Sequence, residues 1–217
     1  MRLFPVIMVC LFSACTNSVG INPQKKETAK TDPVVTHPPF DFDYEKLKLR
    51  SQAIYQNFNL LPNDSNRNKL TSFIADSLLP CWYGTPWDFN GTTTTPQSGK
   101  IACGYFVTTV LQDGGYKINR IKMAQCASEQ LVKATCTEVS RFSRVSIDEF
   151  VNEVKKKGHG LFIVGLDNHT GFILNDSTGT YFIHSGVYSP QCALKEPAID
   201  SRTLINSSYR VIGKIKF

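Results

Sequence analysis

Residues 160–187, GLFIVGLDNHTGFILNDSTGTYFIHSGV, contain three short apolar runs separated by the polar stretches DN and NDSTG. Such runs, interrupted by Asn, Asp and Gly, are typical of a meander of antiparallel strands joined by tight turns. The preceding segment, SIDEFVNEVKKKG (146–158), has the pattern of a helix that begins with the capping-box pair Ser146 and Glu149. Together the two segments predict an α+β fold, with helices packed on a small antiparallel sheet.

Two histidines lie in the predicted meander. His169 opens the second run, and His184 lies late in the third. Because residues at matching ends of adjacent antiparallel strands face each other, we expect one imidazole to orient the other. The alternative is that each is an ordinary half-buried histidine. The other two histidines of the chain do not suggest this role, since His37 lies in a polar N-terminal segment and His159 in a solvated helix-to-strand turn.

A cysteine in the segment GKIACGYF (99–106) stands at the predicted start of a helix. The helix is expected to run from Cys103 to about Leu111 and to stop at Gly114 and Gly115. Unpaired amides and the positive end of the helix dipole favour a thiolate there, so we expect a pKa well below the value of about 8.5 for free cysteine. The position favours a nucleophile over a buried small hydrophobic residue or half of a disulfide.

The composition fits one globular domain. The chain has 217 residues, 41% of them hydrophobic, and a net charge of +6. Its lysines are scattered rather than interleaved with aromatic residues, which argues against nucleic-acid binding. No Cys-x-x-Cys or His-x-x-x-His spacing suggests zinc, and no cofactor is expected.

Four cysteines lie outside residues 1–15 and outside the predicted helix that begins at Cys103. They are Cys81, Cys126, Cys136 and Cys192. In an oxidising compartment four cysteines allow three disulfide pairings, and the sequence does not choose among them. Reduced, buried thiols are the alternative.

The first residues have the layout of a secretory signal peptide. Arg2 is followed by an apolar run that ends at Phe12, which is far shorter than the roughly 20 residues needed to cross a bilayer. We therefore expect a signal peptide over residues 1–14. Small residues directly before Cys15 resemble the lipobox of bacterial lipoproteins, which implies that Cys15 is acylated. The alternative is an ordinary signal peptide cleaved nearby.

Residues 15–40 are polar and contain several prolines, without helical or strand periodicity. Such a segment buries too little apolar surface to order itself, so we expect a disordered tether. The folded domain is expected over residues 41–217. Both alternatives for the N-terminus predict export to the bacterial cell envelope. Acylation of Cys15 predicts in addition a lipid-anchored protein in the periplasm or at the outer membrane.

Four segments resemble the NlpC-type cell-wall peptidases, which are papain-like cysteine hydrolases of bacterial peptidoglycan. In chain order they are GTPWDFNG (84–91), ACGYFV (102–107), HTGFIL (169–174) and YFIHSG (181–186). The resemblance implies a papain-like fold in which Cys103 is the nucleophile, His169 the base and His184 the residue that orients the base. It covers roughly residues 84–186.

The chain departs from the family's pattern at four positions. Trp87 stands where the family has tyrosine, and around the cysteine Ala102, Gly104 and Tyr105 stand where it has aspartate, serine and glycine. We expect Trp87 to wall the substrate cleft rather than to fill the core. The segment AQCASEQLVKATCTEVSRF (124–142) looks like an added helix that reshapes the cleft.

The resemblance implies a cysteine hydrolase, a peptidase or amidase that cleaves an amide bond in peptidoglycan peptides through a Cys-His-His triad. Its expected partners are that peptide substrate and, through the N-terminal lipid, a membrane. The domain is expected to be a monomer. Two alternatives stay open: an amidase or acyltransferase on another envelope substrate, and a catalytically silent envelope-binding lipoprotein with the same fold.

Overall fold

The computed structural model describes residues 43–60 and 64–216. These residues form an α+β fold in which helices pack on a six-stranded antiparallel sheet. The helices are α1 (Tyr44–Leu60), α2 (Asp64–Phe73), α3 (Leu79–Trp82), α4 (Cys103–Asp113), α5 (Arg120–Ala124), α6 (Ser128–Thr135), α7 (Ile147–Lys156) and α8 (Arg202–Ile205), with a π-helical turn at Ile74–Leu78 between α2 and α3. The strands are β1 (Cys136–Ser143), β2 (Gly160–Leu166), β3 (Thr170–Asp176), β4 (Gly179–Ser185), β5 (Ala193–Pro197) and β6 (Tyr209–Ile215).

The sheet has the order β1-β6-β2-β3-β4-β5, and every neighbouring pair is antiparallel. The predicted meander is confirmed, because β2, β3 and β4 pair in chain order. Ile163, Phe172 and Ile183 lie directly opposite one another across these three strands. Since side chains alternate between the faces of a sheet, this register places the three residues on one face of it.

The predicted helix boundaries around the meander and the cysteine are also confirmed. Ahead of α7, the Ser146 hydroxyl accepts a hydrogen bond from the backbone N–H of Glu149 at 3.1 Å. This bond satisfies one of the amides that a helix start leaves unpaired. The helix α4 begins at Cys103 and has Gly114 as its C-cap.

The predicted helix over 124–142 is wrong in its second half. Residues Ser128–Thr135 form α6, but Cys136–Ser143 form the edge strand β1, which pairs with β6. The helical burial of apolar side chains stops with Val132. Beyond it, β-branched residues such as Val139 favour an extended chain once the edge of β6 offers backbone partners.

Apolar side chains cover both faces of the sheet. On one face Trp82, Phe106 of α4 and Phe172 of β3 pack edge to face, with ring centroids 6.0 Å apart in each pair. On the other face Phe150 of α7 packs in a second cluster that contains Phe182 of β4. The sheet is therefore a middle layer, and α4 is held against β3 by a buried aromatic contact.

Several predictions concern residues outside the described ranges. These are the signal peptide over 1–14, the acylated Cys15 and the tether over 15–40, which contains His37. Within residues 43–60 and 64–216, no helix is long and apolar enough to cross a membrane.

The cysteines of the described residues all carry free thiols. They are Cys81, Cys103, Cys126, Cys136 and Cys192. The structure therefore has reduced cysteines, as in the second alternative, in the described part of the chain. Cys81 and Cys126 donate to backbone carbonyls of their own segments, those of Ser77 and Met123.

Candidate active site

The start of α4 is tied to a preceding loop and to β4. Ala102, the N-cap of α4, has an extended backbone and donates its N–H to the carbonyl of Gly91 at 2.9 Å. One residue earlier, the carbonyl of Ile101 accepts a hydrogen bond of 2.7 Å from the Ser185 hydroxyl. Because Ser185 directly follows His184 in β4, this buried bond sets Cys103 against the strand that carries one of the predicted histidines.

Gly104, the second residue of α4, allows a close approach of α5. A β-carbon at this position would overlap the carbonyl oxygen of Ala124. The short helix α5 packs its last turn at this point, so a side chain on residue 104 would push it away. This contact gives a physical reason for the glycine that stands where the resembled family has a serine.

The thiol of Cys103 is half-buried at the first turn of α4. Burial raises its pKa above the usual value, while hydrogen bonds from the backbone N–H groups of Thr170, Gly104 and Cys103 itself oppose the rise only in part. The sequence-based expectation of a lowered pKa is therefore wrong for the resting protein. Loss of hydration outweighs the stabilisation of a thiolate by the helix amides.

The histidines predicted to face each other are in contact. Nε2 of His169 lies 2.9 Å from Nδ1 of His184, and the ring planes are 86° apart. His169 directly precedes β3 and His184 lies near the end of β4, so antiparallel pairing of the two strands brings the rings together. The prediction that these two side chains meet is confirmed.

The ring of His184 is held on several sides. It is only 2% exposed, and the Phe182 ring stacks on it with centroids 4.0 Å apart. A β-carbon at Gly171 would lie 2.9 Å from Cβ of His184, and one at Gly186 would lie 2.9 Å from its Cε1. Because neither residue has a side chain, both glycines provide space for the side chain of His184.

Glu196 is a neighbour of the pair that the sequence did not reveal. Its Oε1 lies 3.0 Å from Nε2 of His184, on the side of the ring opposite His169. Glu196 lies on β5, where it pairs with Phe182 of β4. The side chain of Ser201 is close enough to contribute to the lowered pKa of this carboxyl. The structure thus contains a line of three polar side chains, His169, His184 and Glu196.

The charges along this line follow from burial and pairing. Burial lowers the pKa of His169 to about 3, and the neighbouring His184 adds to the shift. Burial also lowers the pKa of His184, against the opposing effect of Glu196. Burial alone would raise the pKa of Glu196, but hydrogen bonds from His184 and Ser201 outweigh it and hold that pKa below its usual value. At neutral pH both imidazoles are neutral and the carboxylate is ionised.

Cys103 reaches this line through the residue next to His169. The backbone N–H of Thr170, at the start of β3, lies close enough to the sulfur to oppose the rise of its pKa. No hydrogen bond joins the thiol directly to His169 among the described residues. Such bonds are commonly long in unliganded enzymes and shorten when substrate binds.

Two other residues singled out in the sequence, His159 and Trp87, lie outside the line of His169, His184 and Glu196. His159 is exposed, as expected for a turn histidine. Trp87 is half-buried; its backbone N–H donates to the carbonyl of Gln191 at 2.9 Å, and its backbone forms a β-bridge with Ile101. The structure thus places Trp87 beside the segment that leads into Cys103. In residues 43–60 and 64–216, no group of three or more His, Cys, Asp or Glu side chains is arranged to hold a metal ion.

Comparison with known proteins adds no relative to this picture. No protein-family model matches the chain, and no curated protein matches it.

Proposed function

We propose that the chain is a papain-like cysteine hydrolase of the NlpC type that cleaves an amide bond in peptidoglycan peptides. One observation carries the proposal: a thiol at a helix start lies near Thr170, the neighbour of a histidine that a second histidine holds at 2.9 Å. A nucleophile, a base and an orienting group are the parts that thiol hydrolysis needs. The four sequence segments that resemble the NlpC-type peptidases support the choice of substrate.

In the proposed mechanism, the resting pair is a neutral thiol and a neutral imidazole. As the Cys103 sulfur attacks the carbonyl carbon of the scissile amide, Nδ1 of His169 accepts the thiol proton. The backbone N–H of Cys103, which has no acceptor within the helix, helps to stabilise the oxyanion. The resulting imidazolium then protonates the leaving amine, and the C–N bond breaks to give a thioester.

The second half of the reaction restores the enzyme. His169, which is neutral again, takes a proton from a water molecule while the water oxygen attacks the thioester carbonyl. The C–S bond breaks, and the imidazolium returns the proton to the sulfur. The products are a carboxylic acid and the amine released in the first half. His184 acts through His169, since its Nδ1 contacts Nε2 of the base.

The proposal is tested with purified peptidoglycan stem peptides and mass spectrometry of the products. Wild-type protein should release fragments that carry a new amine and a new carboxylate. Cys103→Ser should abolish their release with little change in unfolding temperature, because the two side chains have nearly the same size. Cys126→Ser is the matched control, since Cys126 is another half-buried cysteine and its thiol donates to the carbonyl of Met123. Equal activity of the two variants would exclude the proposal.

A second candidate is a catalytically silent module that binds envelope peptides. It is favoured by the raised pKa of Cys103 and by the missing hydrogen bond between its sulfur and His169. Calorimetry separates the two functions. A silent module binds stem peptides with the same affinity in wild-type and Cys103→Ser protein and leaves the peptides intact in both.

Lipid anchoring through Cys15 stays part of the proposal. Several acyl chains hold a protein durably at a membrane, whereas one chain binds only marginally. In bacterial cells, native protein should sediment with the envelope membranes, and Cys15→Ala should appear in the soluble fraction or keep its signal peptide. A native protein that is soluble and begins at another residue would contradict anchoring.

A further inference from the structure

Glu196 occupies a specific place relative to the two histidines. The register of β4 and β5 sets Glu196 opposite Phe182 and Leu194 opposite His184. Since alternate residues of a strand share a face, Glu196 and His184 lie on the same face as diagonal neighbours. Their contact is the 3.0 Å distance between Oε1 and Nε2. Ser201, the N-cap of α8, adds to the effect of His184 in lowering the pKa of this carboxyl.

The direction of each hydrogen bond in the line follows from what each group is able to donate. An ionised carboxylate only accepts, so Nε2 of His184 carries the hydrogen. A neutral imidazole has one N–H, which leaves Nδ1 of His184 as an acceptor. Its partner, Nε2 of His169, must therefore donate across the 2.9 Å contact. His169 is neutral as well, so the lone pair that remains on it lies on Nδ1.

We propose that Glu196 is a positioning residue that fixes the tautomers of His184 and His169, and so leaves Nδ1 of His169 unprotonated to serve as the base. This inference rests on the proposed hydrolase function for its catalytic consequence, whereas the tautomers themselves do not depend on that function. Without the carboxylate, His184 is free to carry its hydrogen on Nδ1. His169 would then accept on Nε2 and carry its own hydrogen on Nδ1, in the form that is unable to take a thiol proton.

The tautomers are measured directly by long-range proton–nitrogen NMR on protein with 15N-labelled histidine at neutral pH. In the wild-type protein, His184 and His169 should each carry their hydrogen on Nε2. In Glu196→Leu, a substantial fraction of both should carry it on Nδ1, and the rate of stem-peptide hydrolysis should fall about 100-fold. Glu196→Gln keeps an oxygen that accepts the bond from His184. It should restore the wild-type tautomers and most of the rate.

Glu129→Leu is the matched control for Glu196→Leu. The Glu129 side chain is 31% exposed and that of Glu196 is 27%, and Glu129 also accepts hydrogen bonds, from Arg141 and Tyr209. Its loss should leave both histidine tautomers and the hydrolysis rate unchanged.

Three outcomes would overturn the inference. They are a wild-type His184 protonated on Nδ1, a Glu196→Leu protein that keeps the wild-type tautomers and rate, and a Glu196→Gln protein that restores neither. The first is read on the wild-type protein and so does not depend on the folding of any variant. If the tautomers shift as expected while the wild-type protein cleaves no stem peptide, the positioning role stands and the proposed hydrolase function fails.

Discussion

Nε2 of His169 lies 2.9 Å from Nδ1 of His184, and the two rings meet almost at a right angle. The contact links the start of β3 to the end of β4, so the position of one ring depends on that of the other. Both rings are neutral at neutral pH because burial lowers both pKa values. Neutral rings at rest are compatible with the role of base that we propose for His169.

Alkylation of Cys103 should depend steeply on pH. Burial raises the pKa of this thiol, so the reactive thiolate is a small fraction at neutral pH and grows about tenfold per pH unit below the pKa. With iodoacetamide, and with mass spectrometry of the modified peptide, the rate should still be rising above pH 8.5, the approximate pKa of a free cysteine.

The control for this measurement is the same protein unfolded in urea. There the alkylation rate of Cys103 should level off near the pKa of a free cysteine. A rate in the folded protein that is already level at pH 7 would mean that the thiolate forms at rest. It would restore the expectation that the start of α4 lowers the pKa of this thiol.

The free energy of unfolding should fall when the pH drops below about 6.5, the usual pKa of histidine. In the folded protein the pKa of His169 is about 3, so between these values the unfolded chain binds a proton that the native state does not. The contribution of such a histidine to the free energy of unfolding is therefore fully present above pH 6.5. As the pH falls below this value, the contribution decreases by about 1.4 kcal/mol per pH unit for each such histidine. His184, whose pKa is lowered as well, adds to the slope.

Urea unfolding at pH 7.5, 6 and 5 checks this dependence in a window where carboxylates contribute little. By pH 5 the loss attributable to His169 should be about 2 kcal/mol, and His169→Gln should remove that part of the slope. His159 is exposed, so His159→Gln should leave the slope as it is. A stability that stays constant from pH 7.5 to 5 would contradict the neutral state of the pair.

Local signals in the sequence were sufficient where neighbouring residues decide the structure. The capping pair Ser146 and Glu149 lies three residues apart, and the turns of the meander lie between strands that pair directly. The contact of His169 with His184 follows from the same pairing. The pKa of Cys103 was predicted in the wrong direction because the helix start is visible in the sequence, whereas burial of the thiol arises from tertiary packing.

The parts that the sequence did not predict depend on pairing between distant segments. Glu196 lies in ALKEP (193–197), a short strand without clear alternation, and it reaches His184 only because β5 pairs with β4. The signal that would have suggested it is a carboxylate twelve residues beyond His184, across the turn-rich stretch GVYSPQ (186–191). Likewise, Cys136–Ser143 becomes a strand because β6, from the end of the chain, lies beside it.

Gly104→Ala should destabilise the protein although alanine is the better helix former. The intrinsic preference for alanine over glycine in a helix is worth about 1 kcal/mol, but the new β-carbon overlaps the carbonyl oxygen of Ala124. Displacing α5 should cost more than that preference, with a net loss of about 1–3 kcal/mol in the free energy of unfolding. Denaturant titration of the two proteins gives the difference.

Gly158→Ala separates this steric effect from ordinary backbone strain. A β-carbon at Gly158 meets nothing within 4 Å, but the residue has a φ of +81°. That substitution should cost about 1 kcal/mol through its backbone conformation alone. A Gly104→Ala protein as stable as the wild type would mean that α5 yields without cost, and the close approach would then not explain the glycine.

Trp87→Ala should weaken substrate binding more than it weakens the fold. The Trp87 backbone is held by the carbonyl of Gln191 and by the bridge to Ile101, which places this residue beside the segment that leads into Cys103. A half-buried aromatic at such a place offers a surface for a peptide. KM for stem peptides should rise about tenfold in Trp87→Ala, as expected when roughly 1.4 kcal/mol of binding is lost, while kcat changes little. Trp87→Phe should retain most of the affinity.

Trp82→Phe is the control for a tryptophan that fills the core. Trp82 is fully buried, and its indole N–H donates to the Tyr44 hydroxyl at 2.8 Å. Its replacement removes that bond and leaves a cavity, so the unfolding temperature should fall by several degrees while KM of the folded protein stays constant. If Trp87→Ala instead lowers the unfolding temperature in the same way and leaves KM unchanged, Trp87 is a packing residue. The substrate surface beside Cys103 must then be formed by other side chains.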